Sequence, residues 1–138
     1  DLDTLCDWHQ DHAAINFPDS MYKRDLFRAK LIEEANLPKT TMLFILADGQ
    51  VAGLFWTVIK YDVYKELDYA ELRYIHLLPE FRGRGVGGQV LAVIDENCRH
   101  GEAKEIRLGT DFQNKQSIRA YIRAGYKIKR VLMEKKVP

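Results

Sequence analysis

Arg82-Gly83-Arg84-Gly85-Val86-Gly87-Gly88 packs four glycines and two arginines into seven residues, between Pro79-Glu80-Phe81 and the apolar run Val90-Leu91-Ala92-Val93-Ile94. Glycines let backbone N–H groups turn toward one point and admit a ligand where a Cβ would stand. A helix starting there adds its own unsatisfied N–H groups and the positive end of its dipole. That chemistry is anion binding, suited to a phosphate or pyrophosphate. Gly83, Gly85 and Gly88 also spell G-x-G-x-x-G, with Asp111 about 20 residues beyond, as a dinucleotide site requires. Only 50 residues follow Gly88, too few for a doubly wound sheet. A nucleotide P-loop needs Gly-Lys-Ser/Thr, and Gly88-Gln89-Val90 lacks it.

The elements that must hold this turn lie on both sides of it. A first helix runs from Asp3 or Thr4 to about Asn16, with Leu2, Leu5, Trp8, His12 and Ile15 at helical spacing. Phe17-Pro18-Asp19-Ser20 breaks it. Asp19 or Ser20 is placed to cap a second helix to about Ala35, with an apolar stripe of Tyr22, Leu26, Phe27, Ala29 and Leu31. Residues 42–47 and 51–64 read as strands joined by Asp48-Gly49, a hairpin turn. A polar break at Lys65-Glu66-Leu67-Asp68 leads to a third strand ending at Leu78. After the glycine turn come a helix over 85–99, a strand over 105–110, a helix over 114–124 with Gly125 past its end, and a final strand over 126–135. The expected fold is mixed α/β: a mostly antiparallel central sheet flanked by helices, with two strands made parallel by the crossover at the turn.

The 138 residues are 46% apolar and 30% charged with a net charge of +1, which describes one domain over 1–138. That charge balance argues against a nucleic-acid binder working by bulk electrostatics, leaving only a local patch, and no nucleic acid is expected as a partner. No apolar run approaches the ~20 residues of a membrane span. No membrane partner is therefore expected, and the location is read as cytoplasmic. Cys6 and Cys98 lie far apart without metal-ligand spacing, so they read as reduced thiols, and no metal is expected.

Arg82-Gly83-Arg84-Gly85-Val86-Gly87 resembles the R/Q-x-x-G-x-G/A acetyl-CoA signature of the GNAT superfamily of N-acetyltransferases. A second block, Asn114, Ser117, Ile118, Tyr121, Gly125 and Tyr126, is similar to that family's N-x-x-A-I-x-x-Y-x-x-x-G-F/Y motif, with Ser117 where the family has Ala. The resemblance covers the chain from about Met42 onward. It departs at both ends: members usually carry a strand before the first helix and two strands at the end. Here the chain opens at Asp1, inside that helix and without a methionine, and 126–138 has room for about one strand. The usual first strand is thus read as lacking. An uncovered edge strand invites pairing, so a homodimer is expected.

The resemblance implies the roles that follow. Backbone N–H groups of Arg82, Gly83, Arg84, Gly85, Val86, Gly87 and Gly88 cradle the pyrophosphate of acetyl-CoA, and the two arginines either add contacts to it or stay solvated. The strand before the turn and the strand over 105–110 splay apart, and backbone groups of Ile75, His76 and Leu77 pair with pantetheine. One N–H there holds the oxyanion. Asn114, Ser117 and Tyr121 belong to the cofactor side. Tyr121 falls at the general-acid position, protonated at neutral pH and able to donate to the leaving thiolate. Glu71, 11 residues before Arg82, falls at the base position of the histone-acetylating branch. A carboxylate of ordinary pKa is a poor base, so burial must raise it or a water chain must help.

His76 alternates onto the opposite face from Glu71, Arg73 and Ile75 in a regular strand and reads there as a packed histidine, and a bulge would rotate it inward. His9, His12 and His100 read as helix-surface or helix-end residues. Arg73 and Asp111 compete as substrate contacts. Acceptor choice falls to 17–22, the second helix and the acidic, tyrosine-rich stretch 61–69. The expected activity is acetyl transfer from acetyl-CoA to a primary amine by direct attack in a ternary complex. The alternative is a non-catalytic acyl-CoA-binding sensor or scaffold on the same fold.

Overall fold

The computed structural model describes residues 2–16 and 21–138. In chain order its elements are α1 (Leu2–Asn16), α2 (Arg24–Ala35), β1 (Thr40–Ala47), β2 (Gln50–Asp62), β3 (Leu67–Leu77), a 3-10 turn (Pro79–Phe81), α3 (Val86–His100), β4 (Glu105–Arg107) and α4 (Lys115–Arg123). The strands form one sheet in the order β1-β2-β3-β4. β1, β2 and β3 are antiparallel, and β4 runs parallel to β3 after the α3 crossover, as the sequence predicts. Asp48 and Gly49 both take positive φ, 52° and 75°, the conformation that joins two strands with the correct twist.

Three expectations need correction. α2 starts later than expected, at Arg24, after an extended Lys23 that makes no side-chain cap. The proposed break and caps at Phe17, Pro18, Asp19 and Ser20 lie outside the described residues. Leu26 and Ala29 of the expected α2 stripe face solvent, and Phe27 and Leu31 carry the packing. The final strand does not form: 126–138 has no regular structure, and Ile128, Val131, Leu132 and Met133 are exposed. A strand needs a partner backbone, and β4, expected over 105–110, offers only three residues.

The sheet is buried on both faces at its centre, with β2 inaccessible from residue 52 to 58. On one face Ala52, Phe55, Ala70 and Leu72 pack against Val90, Leu91, Ile94 and Cys98, the last four from α3. On the other, Trp56 and Val58 pack with Leu31 and Phe27 of α2, Leu2 and Leu5 of α1, and Tyr74. Gly53 pairs with Leu77, and a Cβ placed on it would overlap the His76 carbonyl. The glycine therefore sets how closely β2 meets the end of β3.

Candidate active site

The turn after β3 is built as its residues dictate. Pro79 starts the 3-10 turn, where its missing N–H is no loss, and the Phe81 ring anchors that turn in the core. Gly83 and Gly85 have φ of 70° and 77°, a left-handed backbone that glycine adopts freely, and Gly85 is the N-cap of α3. The first bond into the helix runs from the Gln89 N–H to the Gly85 carbonyl at 3.4 Å. The N–H groups of Val86, Gly87 and Gly88 thus lack an intrahelical acceptor. A Cβ on Gly83, Gly85 or Gly88 would meet nothing within 4 Å, so the cradle opens outward. Arg82 donates from Nε to the Leu77 carbonyl at 2.8 Å, and Arg84 from Nη1 to the Glu80 carbonyl at 3.2 Å. Each fork ties back to the turn and still carries further donors.

Beside the turn the sheet opens. β3 and β4 pair only through Tyr69–Glu105, Ala70–Ile106 and Glu71–Arg107. β3 runs on to Leu77 while the chain after Arg107 leaves the sheet, so the β3 edge at Ile75, His76 and Leu77 borders the expected splay. The Leu77 carbonyl is already taken by Arg82. On the far side of the gap the Asn114 side chain caps α4 by accepting the Ser117 N–H at 3.2 Å, and Asp111 Oδ1 accepts the Gln113 N–H at 2.8 Å. Both side chains hold the loop and cap that aim α4. Tyr121 is half-buried against the α3-side core, edge-on to Tyr126 at 5.7 Å, and burial raises its pKa, so it is protonated at neutral pH.

The acceptor side departs from expectation. Glu71 accepts from Lys60 Nζ at 2.6 Å and from Arg73 Nη1 at 2.8 Å, while Arg73 Nη2 reaches both carboxylate oxygens of Glu34. Burial pushes the Glu71 carboxyl up, but the hydrogen bonds and charges of Lys60 and Arg73 outweigh it and leave the pKa lowered. Glu71 is thus held as an ion-paired carboxylate, and of the two routes to a base only the water chain is compatible with a lowered pKa. In the 61–69 stretch, Asp62 accepts from Arg107 Nη2 at 2.7 Å and from the N–H groups of Tyr64 and Lys65, and these bonds hold it at about 2. It ties a hairpin to β4.

A bulge decides the other residues. Trp56 pairs with Tyr74 and Thr57 with Leu72, which leaves Arg73 as the extra residue on β3. Alternation restarts after it, so Tyr74 and His76 share the α1–α2 face with Glu71, while Ile75 packs toward α3. His76 is 5% exposed and stacks on Trp8 at 5.8 Å. His9 and His12 are half-buried rather than fully on the surface: His9 stacks on Phe27 at 3.6 Å, and His12 sits edge-on to Tyr74 at 5.3 Å. The sequence signal was present, because Leu2, Leu5, His9 and His12 form one helical stripe. His100 pairs with Glu96 at 3.2 Å on the surface, as expected.

Among the described residues no group of His, Cys, Asp or Glu could hold a metal ion, and no helix is long and apolar enough to cross a membrane. The model of the acetyltransferase (GNAT) family matches residues 2–126. The aminoalkylphosphonate N-acetyltransferase of Salmonella typhimurium is 29% identical over 104 residues, 75% of this chain and 65% of that protein's length. The chain thus spans slightly under two-thirds of that relative. A GNAT family acetyltransferase from Staphylococcus aureus superposes with a TM-score of 0.72 over 99% of this chain and 89% of its own, at 19% identity. AAC(6')-Iy, solved with the bisubstrate analogue CoA-S-monomethyl-acetylneamine, does so with a TM-score of 0.73 over 99% and 92%, at 22% identity. With the glycine turn, the parted strands and the capped α4 in the arrangement that its sequence motifs require, the chain belongs to the acetyltransferase (GNAT) family.

Proposed function

We propose that the chain is an acetyl-CoA-dependent N-acetyltransferase acting on a primary amine by direct attack in a ternary complex. The observation that carries it is the outward-open cradle at Gly83, Gly85 and Gly88, set beside the β3 edge that β4 leaves unpaired. Backbone N–H groups from Arg82 to Gly88, helped by the Arg82 and Arg84 forks, would hold the pyrophosphate. The β3 edge at Ile75 and His76 would hold the pantetheine arm, one N–H there polarising the acyl carbonyl. When bound, acetyl-CoA supplies an activated acyl group and a thiolate leaving group. Tyr121, kept protonated by burial, donates to that sulfur. Asn114 and Ser117 act through the α4 cap that places Tyr121. Neither cysteine enters: both Cys6 and Cys98 are buried.

For the acceptor, the Salmonella relative suggests a short aminoalkylphosphonate. A homodimer covering the open sheet edges belongs to the same reading, and a monomer in sedimentation at high concentration would remove it. The deciding experiment pairs a thermal shift with acetyl-CoA and thiol release across aminomethylphosphonate, aminoethylphosphonate, lysine and spermidine. Stabilisation with release on a phosphonate is the expected result. Stabilisation without release on any amine would favour an acyl-CoA-binding module.

A further inference from the structure

Charge is distributed unevenly along the chain. Residues 115–138 hold eight lysines and arginines against one acid, Glu134, whereas residues 1–114 hold 13 against 19 acids. Before residue 115 many cations are paired, as Arg24 is with Asp7, Arg73 with Glu34 and Glu71, and Arg107 with Asp62. From 115 onward all eight are exposed, and none forms an ion pair among the described residues. Lys115, Arg119 and Arg123 recur every fourth residue on the outer face of α4, turned away from Tyr121 and Ala124, which pack on the α3-side core. The chain leaves α4 directly: the N–H groups of Gly125 and Tyr126 donate to the carbonyls of Ile122 and Tyr121 at 3.0 Å. Every residue after Tyr126 is exposed, and aliphatic side chains stand among the cations. Val131, Leu132 and Met133 adjoin one another and are 82%, 88% and 86% exposed. Large apolar groups gathered on a surface in this way mark a place that binds.

We propose that the outer face of α4 and the segment 127–138 dock the protein on an anionic lipid surface. The cations are drawn to lipid phosphates, and the aliphatic groups enter the boundary between headgroups and acyl chains. Docking of this kind needs no spanning helix. Nucleic acid fits the pattern less well. Surfaces that hold single strands set aromatic rings among their cations for bases to stack on. Here the neighbours are aliphatic, and Phe112, the exposed ring beside α4, is already covered by Lys115 Nζ at 3.7 Å from its centroid. A second copy of the chain would have to take the segment as a strand with one face buried. In an extended backbone Lys129 and Lys135 share a face with Val131 and Met133, and Arg130 and Lys136 share the other with Ile128 and Leu132. Neither face is apolar. A lipid surface accepts both kinds of group without a fixed backbone, which suits a segment that has no regular structure.

The test sediments the full chain with vesicles of phosphatidylcholine alone and of equimolar phosphatidylcholine and phosphatidylglycerol. Binding to the mixed vesicles alone, weakening steeply as salt rises, is the expected result. Each Lys or Arg at an anionic surface contributes roughly fivefold in affinity. Replacing Lys127, Lys129, Arg130, Lys135 and Lys136 together by Gln should therefore weaken binding by on the order of 100-fold or more. Val131→Ser, Leu132→Ser and Met133→Ser combined should weaken it by on the order of tenfold and leave the salt dependence as it is. All eight side chains are exposed, so both variants should keep the wild-type melting temperature. Equal binding to the two kinds of vesicle, or undiminished binding by the five-residue variant, would overturn the proposal. A single-stranded oligonucleotide that displaces the mixed vesicles at equal phosphate concentration makes nucleic acid the partner and overturns it too. So does a dimer in sedimentation with no affinity for either vesicle. None of these outcomes bears on thiol release across the amine panel, which tests acetyl transfer separately.

Discussion

On the α3 side the sheet buries small and aliphatic groups, Ala52, Ala70, Leu72, Val90, Leu91 and Ile94, and the ligand chemistry beside them belongs to backbone N–H groups. On the α1–α2 side it covers Trp56, Tyr74 and His76 with Trp8, His9, His12 and Phe27, and the chemistry belongs to side chains. The first face needs only a backbone shape, which a few glycines and a capped helix specify. The second is filled by particular imidazoles and rings brought together from α1, α2 and β3, a packing that no short motif specifies.

The largest effect expected to separate the two faces comes from Gly85→Glu. A left-handed residue with a Cβ costs about 1–2 kcal/mol, and the carboxylate would stand in the proposed anion site. The acetyl-CoA thermal shift should vanish while the α1–α2 packing, followed by tryptophan fluorescence, persists. Loss of both signals would mean the faces are not independent. Next, Tyr121→Phe should lower kcat by on the order of 100-fold with an unchanged acetyl-CoA KM. Turnover within twofold of wild type would remove Tyr121 from the chemistry.

Gly53→Ala probes the seam between the faces. Its Cβ would overlap the His76 carbonyl, and overpacking of this kind costs about 1–3 kcal/mol, readable in urea unfolding. The smallest effect is graded. His9 and His76 have folded pKa values lowered to about 4 from an ordinary 6.5, mainly by burial. The unfolded chain therefore binds protons first, and the stability that these neutral imidazoles contribute is complete above 6.5 and lost as pH falls toward 4. Melting temperature should decline over that window, and His76→Gln should flatten the decline.

Legibility followed the same division. The glycine turn and the helix opening at Asn114 were readable because each depends on local backbone geometry or on fixed helical spacing. The final strand was not, because its existence depends on a partner edge and β4 contributes only three residues. The ion pairing of Glu71 was not legible, because Lys60 across the ladder and Arg73 beyond it are residues that spacing alone does not bring to the carboxylate. For His76 the bulge and not the regular strand applies, because one extra residue, Arg73, reverses the alternation of everything after it, while its reading as a packed side chain agrees with its burial.

By itself the sequence determined the order of elements, the hairpin at Asp48-Gly49, the outward cradle and the helix it opens, since glycine, proline and helical periodicity act within a few residues of themselves. Only the tertiary structure decided which titratable groups share the α1–α2 face of the sheet and what charge they carry. Proton affinity is set by burial and by charges brought together from distant parts of the chain, and here a single bulge in β3 determines which side chains receive them.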